Sequence, residues 1–312
     1  MFYLHSRNKS IFLCAALLGG AICQAAPGPA LLVRGDTSMQ SFLDPWLESF
    51  RKLHPEIEVK VEMGHGAPEN RSAVGPDVAA LFQKTDEQFY RQYGYAPLNI
   101  VVSGGGRHVV GKIQAIGVFV HPDNPLRHLT LQQVEAIFSI SPRDGRPPIT
   151  KWGQLGLTGE WAERPIVAFG RERKQGASNH FRNRALGGAD YTKHYRECAN
   201  STKVVEAVAA DPAAIGYSAL AYATPQVRAL ALAERDGAPV GQPTEVDSQA
   251  LLYPLAYPLY LSVNRAPGRS LDPAIKAFLA YVLSPAGQEL VGKAGFLPLS
   301  PDALKWERLK FE

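Results

Sequence analysis

The feature that most constrains the fold of this chain is a repeated alternation of short apolar segments with segments of helical spacing. Residues 30–33 are apolar and lead through a polar turn into a stretch in which Phe42 and Phe50 fall on one helical face. The same order of strand, turn and helix returns at 78–93 and at 166–186. This alternation predicts a mostly parallel sheet with helices on both of its faces, which is an α/β fold.

The length and composition of the chain limit the class of protein. A chain of 312 residues is long enough for about two domains. Hydrophobic residues make up 46% and charged residues 20%, so we expect a buried core and exclude a disordered protein. The sequence contains no repeat of the kind that builds solenoids. Beyond residue 25, no apolar run approaches the ~20 residues of a membrane helix, so the mature chain is not expected to span a bilayer.

Residues 1–25 are predicted to be a secretory signal peptide. Two basic residues precede an apolar stretch at 11–22, and Cys23 and Ala25 place small residues at the two positions that a signal peptidase reads. A membrane anchor is one alternative, although the apolar run is short for a bilayer. Lipid attachment to Cys23 is another, although Ile22 is bulky for that signal. Cleavage after residue 25 would export the protein to the periplasm or to the outside of the cell.

Charge and cysteine content exclude two further classes. Loss of the signal peptide removes two positive charges, and the formal net charge falls from +4 to +2. This balance is too weak for a nucleic-acid-binding protein. Cys198 is then the one cysteine left, so no intrachain disulfide can form, and we expect it to be a partly buried thiol. No histidines or cysteines show a metal-ligand spacing, and no metal or cofactor is expected.

Two loops have the construction of a small-anion site. Each joins an apolar strand to a helix through a polar turn, where backbone N–H groups and the helix dipole point to one spot. In the second loop Gly176 lets the backbone approach a ligand, and Arg171 or Arg173 offers forked hydrogen bonds. Ordinary helix capping by Ser38 and Ser178 is the alternative interpretation. The candidate ligand residues of the two loops are Thr37, Ser38, Met39, Arg171, Arg173, Gln175, Gly176, Ala177 and Ser178.

Helix starts can be predicted from capping residues and prolines. Asp272 and Ser284 each precede a proline, which is the pattern of a cap followed by the first helical residue. Pro45 leaves two possibilities for the first helix. Either the helix begins near Ser38 and contains Pro45, or it begins at Pro45 with Asp44 as its cap.

Several segments stand in an order that resembles a known family. They are residues 35–39, 93–97, 121–126, 129–138 with 149–152, 214–217, and 283–288 with 295–299. In this order they resemble the phosphate-binding periplasmic proteins of ABC transporters, over nearly the whole mature chain. The resemblance implies the periplasmic-binding-protein type II fold, with two α/β lobes that each hold a mixed sheet with helices on both faces. Lobe one would comprise 26–120 with 255–312, and lobe two 121–254.

The resemblance also implies a function. A monomer of this family would capture a small oxyanion, phosphate first, in the cleft between its lobes and deliver it to an ABC permease, so that it meets the membrane only through that partner. The family's third ligand segment falls on Phe82 and Gln83, where the family commonly has Ser or Asp and then often Arg. Gln175 and Ala177 depart from its Ser-Gly-Thr pattern. These departures leave another oxyanion, or lost phosphate binding, as alternatives.

Two other functions are weighed against this one. A secreted hydrolase would use Ser178 with His180, but residues two apart on a helix do not face each other, and no Gly-x-Ser-x-Gly motif occurs. We therefore expect no enzyme. A secreted or surface sensor of the same fold would use its lobes as a docking face, and the aromatic and charged tail at 306–311 could contribute to that face or pack on its own domain.

Overall fold

The structure is a computed structural model that describes residues 29–36, 39–64, 77–81, 86–109, 112–173 and 176–312. Its strands are β1 (Ala30–Asp36), β2 (Glu58–Gly64), β3 (Asp77–Leu81), β4 (Leu98–Ser103), β5 (Arg107–Val109), β6 (Lys112–Ile113), β7 (Ile116–Val120), β8 (His128–Thr130), β9 (Val167–Arg171), β10 (Arg196–Cys198), β11 (Ala214–Ala219), β12 (Arg228–Ala229), β13 (Ala231–Ala233), β14 (Val240–Gly241) and β15 (Leu259–Val263). Its helices are α1 (Gln40–Leu53), α2 (Asp86–Tyr93), α3 (Leu131–Phe138), α4 (Gly176–Ala185), α5 (Ser201–Ala210), α6 (Glu245–Gln249), α7 (Pro273–Val282), α8 (Pro285–Lys293) and α9 (Pro301–Leu309).

The first five-stranded sheet has the order β2-β1-β3-β15-β4. Strand β1 runs parallel to β2 and to β3, whereas β15 runs antiparallel to both of its neighbours, β3 and β4. A strand from the C-terminal part of the chain therefore lies inside a sheet whose other strands come from the N-terminal part. We call this sheet and the helices packed on it the first lobe.

The second five-stranded sheet has the order β10-β9-β11-β7-β12. Strand β9 runs parallel to β10 and β11, and β7 runs antiparallel to β11 and β12. We call this sheet and its helices the second lobe. Two mixed sheets with helices confirm the predicted α/β class. Strand β7, which the sequence analysis places in lobe one, pairs within the second sheet, so we infer that the chain crosses between the lobes before Ile116.

Each lobe has its own buried core. In the first lobe Trp46, Phe50 and Phe278 are completely buried, with aliphatic side chains from β1, β4 and β15 around them. The core of the second lobe contains the fully buried Phe181 and Tyr217 and a larger share of aromatic side chains. Two separate cores are what two α/β lobes require, because each sheet must cover its own apolar faces.

Two of the predicted helix starts, each a cap residue followed by a proline, are confirmed. The side chains of Asp272 and Ser284 cap α7 and α8, and the following proline is the first helical residue in both cases. Pro45 lies inside α1, so of the two starts left open the one near Ser38 is confirmed, and the one at Pro45 with Asp44 as its cap is wrong. The helix begins earlier because Leu43, which precedes the proline, is fully buried against the first sheet. That burial offsets the hydrogen bond that a proline cannot donate.

The C-terminal helix α9 covers the edge strand β4. The carboxylate of Glu307 accepts a hydrogen bond from the backbone N–H of Val101 at 2.8 Å and also binds the ammonium group of Lys310. An uncovered edge strand would expose unpaired backbone groups, so this contact satisfies part of the edge. Phe311 is buried as well, and the predicted tail therefore packs on its own lobe, while Trp306 stays 68% exposed.

Several predicted features lie outside the described residues. These are the signal peptide at 1–25 and the candidate ligand residues Thr37, Ser38, Phe82, Gln83 and Gln175. Within the described part of the chain, no helix has the length and apolar character needed to cross a membrane.

Candidate functional site

The first-lobe part of the candidate site lies at one edge of the first sheet. Because β1 and β3 are parallel neighbours, their carboxyl ends meet at the same edge, where ligands bind in open α/β sheets. Only short segments separate β1 from α1 and β3 from α2. Met39, at the start of α1, is 2% exposed as a whole residue, so it presents almost no surface to a ligand in this structure.

The second-lobe part of the site is the loop between β9 and α4. Arg171 ends the strand and is half-buried, and its Nη1 atom donates a hydrogen bond to the hydroxyl of Ser201 at 3.2 Å. Its Nε atom is buried, and no residue in the described ranges accepts its hydrogen. No ion pair of Arg171 is found among those residues either. The guanidinium group is therefore held in place with its positive charge uncompensated by any described carboxylate.

Arg173 differs from Arg171, although it lies only two residues further on. Its Nε atom is 3.1 Å from a carboxylate oxygen of Glu197, and its guanidinium group lies over the ring of Tyr195. The charge of Arg173 is thus neutralised within the lobe. Of the two arginines predicted as alternatives, Arg171 is therefore the one without a carboxylate partner among the described residues.

Ser178 lies in the first turn of α4 and is completely buried. Its hydroxyl donates to the carbonyl of Arg171 at 3.1 Å and accepts a hydrogen bond from the hydroxyl of Tyr217 at 3.0 Å. The hydroxyl is therefore engaged inside the lobe and closes the loop on itself. Gly176 and Ala177, which open the helix, have backbone N–H groups without a partner within the helix.

Three tyrosines below this loop were not among the predicted site residues. Tyr191 and Tyr195 stack with ring centroids 4.4 Å apart, and Tyr217 lies about 6 Å from each of them, at 6.1 and 6.2 Å. Burial raises the pKa of each of the three phenols above its usual range. These hydroxyls therefore stay protonated at physiological pH and act as neutral hydrogen-bonding groups.

His180 lies one turn along α4 from the loop. Its ring stacks on that of Tyr257, with centroids 4.0 Å apart, and burial together with the nearby Arg184 lowers its pKa to about 4. The hydroxyl of Ser178, the nucleophile of the hydrolase hypothesis, is engaged by Tyr217 and Arg171 instead. The site thus shows no pair in which His180 activates Ser178.

A cavity of about 230 Å³ lies between the lobes. Val101 and Tyr260 line it from the first lobe, and Arg184 and Glu234 line it from the second, where two hydrogen bonds of 2.9 and 2.6 Å join their side chains. The described ligand-loop residues are not among its lining residues. Because Arg184 belongs to α4, the helix that follows the second loop faces the gap between the lobes.

Cys198 is a half-buried free thiol, and burial raises its pKa. A raised pKa keeps the thiol protonated and makes it a poor nucleophile. Within the described ranges, no group of three or more histidine, cysteine, aspartate or glutamate side chains could hold a metal ion.

The class of the protein follows from a match of residues 24–286 to the family model of the PBP superfamily domain. The chain is 34% identical over 272 residues to the phosphate-binding protein PstS of Pseudomonas aeruginosa, a match that covers 85% of this chain and 81% of that protein. A shorter match, 30% identical over 135 residues, covers 43% of this chain and 40% of the phosphate-binding protein PstS 2 of Streptococcus agalactiae.

Among solved structures, the chain is similar to PstS from Borrelia burgdorferi, with a TM-score of 0.56 and 16% identity over 87% of this chain and 99% of that one. This likeness shows the fold. The chain belongs to the PBP superfamily and, within it, to the family of the PstS phosphate-binding proteins. Membership in this family confirms the predicted resemblance and the prediction of a binding protein rather than an enzyme.

Proposed function

We propose that this protein is an exported receptor that binds phosphate between its two lobes and delivers it to an ABC permease. The observation that carries the proposal is the position of the Arg171 guanidinium group and its lack of a described carboxylate partner. Its guanidinium group stands at the end of β9 beside the first turn of α4, it is fixed by Ser201, and no described carboxylate neutralises it. A fixed guanidinium next to a helix start favours an oxyanion with several acceptor oxygens.

Phosphate is the oxyanion that the relatives support. The Pseudomonas aeruginosa protein, 34% identical to this chain, is named a phosphate-binding protein. The candidate loops at 37–38 and 82–83 follow parallel strands of the first sheet, and the second-lobe loop precedes α4, which lines the gap between the lobes. Closure of the lobes would bring backbone N–H groups from both sides to one anion.

The ligand and the role of Arg171 can be tested together by isothermal titration calorimetry. We expect the wild-type protein to bind phosphate and Arg171→Gln to bind it about ten- to hundredfold more weakly, because charge-assisted hydrogen bonds are lost. The matched variant Arg173→Gln removes a guanidinium that is already paired with Glu197, so its affinity should stay within about twofold of the wild type.

Two outcomes would contradict parts of this proposal. A wild-type protein that gives no heat with millimolar phosphate would exclude phosphate as the ligand and favour the alternative of a sensor with lost phosphate binding. A larger loss for Arg173→Gln than for Arg171→Gln would show that the wrong arginine has been chosen.

Export and the permease are part of the proposal. Export rests on the basic start and the apolar stretch of residues 1–25. Sequencing the N-terminus of the protein recovered from a periplasmic extract tests it, with Ala26 expected as the first residue. An uncleaved N-terminus would contradict this part and leave the phosphate site as it stands.

A further inference from the structure

Six oxygen atoms meet beneath the second-lobe loop. Three of them are the hydroxyls of Tyr191, Tyr195 and Tyr217, and a fourth is the hydroxyl of Ser178. The other two are the backbone carbonyl oxygens of Arg171 and Ser178. Arg171 and Ser178 stand at the two ends of the loop that is proposed to bind the anion, so this cluster joins both ends of the loop to the core.

The hydrogen bonds of the cluster follow a simple order. Tyr195 donates to the carbonyl of Arg171, and Tyr191 donates to the carbonyl of Ser178 at 2.8 Å. Tyr217 lies between them, with its hydroxyl 2.7 Å from that of Tyr191 and 2.8 Å from that of Tyr195, and it donates to Ser178 Oγ at 3.0 Å. Ser178 Oγ in turn donates to the carbonyl of Arg171 at 3.1 Å.

The cluster has fewer hydrogens than close oxygen pairs. Six pairs lie within hydrogen-bond distance, but the three phenols and the serine supply only one hydrogen each. The carbonyls of the loop therefore compete with the hydroxyl of Tyr217 for the hydrogens of Tyr191 and Tyr195. Each hydroxyl contributes differently to holding the loop, which makes the individual contributions separable by mutation.

The strand before the loop is shaped for this cluster. Gly170 is buried, and a Cβ atom at this position would overlap the ring of Tyr217 and the hydroxyl oxygen of Tyr195. The backbone of β9 thus approaches the phenols as closely as it can. The hydrogen bonds thus tie Arg171 and Ser178, the two ends of the loop, to a strand that already lies close to the phenols.

We propose that Tyr191 and Tyr195 are positioning residues for anion binding, which hold the ends of the second-lobe loop so that Arg171 and the start of α4 face the ligand. This inference rests on the proposed phosphate site. It does not require the tyrosines to touch the anion. It requires that ligand affinity depends on their hydroxyls more than the folding of the lobe does.

The count of hydrogens ranks the three tyrosines. Replacing Tyr217 with phenylalanine removes one hydrogen and every pair that includes its hydroxyl, and the three pairs that remain have three hydrogens to fill them. Replacing Tyr195 or Tyr191 instead takes the phenol donor from one loop carbonyl. The hydroxyls of Tyr191 and Tyr195 should therefore contribute more to holding the loop than that of Tyr217, although Tyr217 is the most buried of the three.

The test is phosphate titration of Tyr191→Phe, Tyr195→Phe and Tyr217→Phe in the full mature chain. We expect Tyr195→Phe and Tyr191→Phe to bind phosphate about fivefold more weakly, since each loses one hydrogen bond to the loop, and Tyr217→Phe to lose less. The matched control is Tyr95→Phe, which removes a phenol hydroxyl that donates to Asn264 in the first lobe at 2.7 Å. The affinity of this control should equal that of the wild type.

Two further measurements separate positioning from general destabilisation. The midpoint temperature of thermal unfolding, measured without phosphate, should fall to a similar extent in Tyr195→Phe and Tyr95→Phe, because each loses one hydrogen bond. The Nε–H resonance of Arg171 in the phosphate complex should shift or broaden in Tyr195→Phe but not in Tyr95→Phe. Only Tyr195→Phe releases the end of the loop at Arg171.

The outcomes distinguish this inference from the proposed function. If the wild type binds phosphate but all three second-lobe variants bind as tightly as Tyr95→Phe, the positioning role is refuted and the phosphate site stands. A loss of affinity that is largest in Tyr217→Phe would refute the ranking and show that Tyr217 contributes most to holding the loop. If the wild type does not bind phosphate, the proposed function fails, and the inference fails with it.

Discussion

The two lobes present their candidate loops on equivalent strands but secure them differently. Gly35 is the last residue but one of β1, and Gly170 is the last residue but one of β9. In the first lobe the buried Met39 precedes α1, and among the described residues no side chain caps the start of this helix. Beyond Gly170 the chain is held by phenol hydroxyls that bind the carbonyls of Arg171 and Ser178.

The two kinds of contact differ in how strongly they depend on geometry. Burial of an apolar side chain is favourable in many orientations, whereas a hydrogen bond weakens steeply when its geometry changes. The hydrogen bonds therefore favour one position of Arg171, whereas burial of Met39 sets no such preference at the start of α1.

The largest expected effect comes from adding a methyl group at each of the two glycines. In Gly170→Ala the new Cβ overlaps the ring of Tyr217 and the hydroxyl oxygen of Tyr195, and we expect the free energy of unfolding to fall by about 3 kcal/mol. In Gly35→Ala the new Cβ lies 3.1 Å from Leu43 and 3.2 Å from Met63, both at the flexible ends of side chains. The change there should stay within about 1 kcal/mol.

Chemical denaturation of the two variants measures this contrast. Equal losses would show that β1 is packed as tightly at Gly35 as β9 is at Gly170, and the comparison between the lobes would not hold. A stable Gly170→Ala variant would show that the tyrosine rings can move aside.

A second expected effect concerns pH and His180. The unfolded chain protonates this histidine near its ordinary pKa of 6.5, whereas burial and Arg184 lower the pKa in the folded protein to about 4. Acidification from pH 6.5 to 4 therefore favours the unfolded state, because only that state binds the proton. The stability lost over this window is about 3 kcal/mol, and none of it is lost above pH 6.5.

Unfolding measured at pH 7 and pH 4.5 in the wild type and in His180→Phe tests this expectation. The phenylalanine keeps the stacking on Tyr257 but cannot bind a proton, so its acid sensitivity should be smaller. In the first lobe, by comparison, His54 directly follows α1, is only half-buried and lies 3.0 Å from Glu56. An equal acid sensitivity in His180→Phe would mean that other groups cause it.

The smallest expected effect is at Tyr281, a buried phenol of the first lobe. Its ring lies 5.8 Å from that of Phe50, and its hydroxyl has no hydrogen-bond partner among the residues that the structure describes. Removing a buried polar group without a partner should raise the free energy of unfolding, so Tyr281→Phe should be up to about 1 kcal/mol more stable. Thermal unfolding measures it, and a loss of stability would contradict the contrast with the networked phenols of the second lobe.

The fold was predictable because its signals are local. The alternation of strands and helices, and the caps at Asp272 and Ser284, depend on residues that are neighbours in the sequence. The start of α1 could not be decided locally, since Pro45 is compatible with two positions. The burial of Leu43 against the sheet decides it, and burial depends on the tertiary structure.

The sequence marks candidate loops for the site but not the contacts of their side chains. The loop from Arg171 to Ser178 stands out in the sequence, but the difference between its two arginines depends on Glu197, which is distant along the chain. Tyr191 lies in an irregular segment outside the helices and sheets, where no periodic pattern marks it. Convergence of its hydroxyl with those of Tyr195 and Tyr217 arises only when the three segments pack.

The position of β15 in the first sheet determines how late in synthesis this sheet can form. Strands β1 to β4 have all left the ribosome long before residue 263, yet β4 meets the rest of its sheet only through β15. The first lobe therefore cannot close while most of the chain is still being made, and α9, which seals the edge at Val101, comes last of all. A chain that is threaded through a membrane before it folds benefits from this delay, since its earliest segments have no finished sheet to unravel.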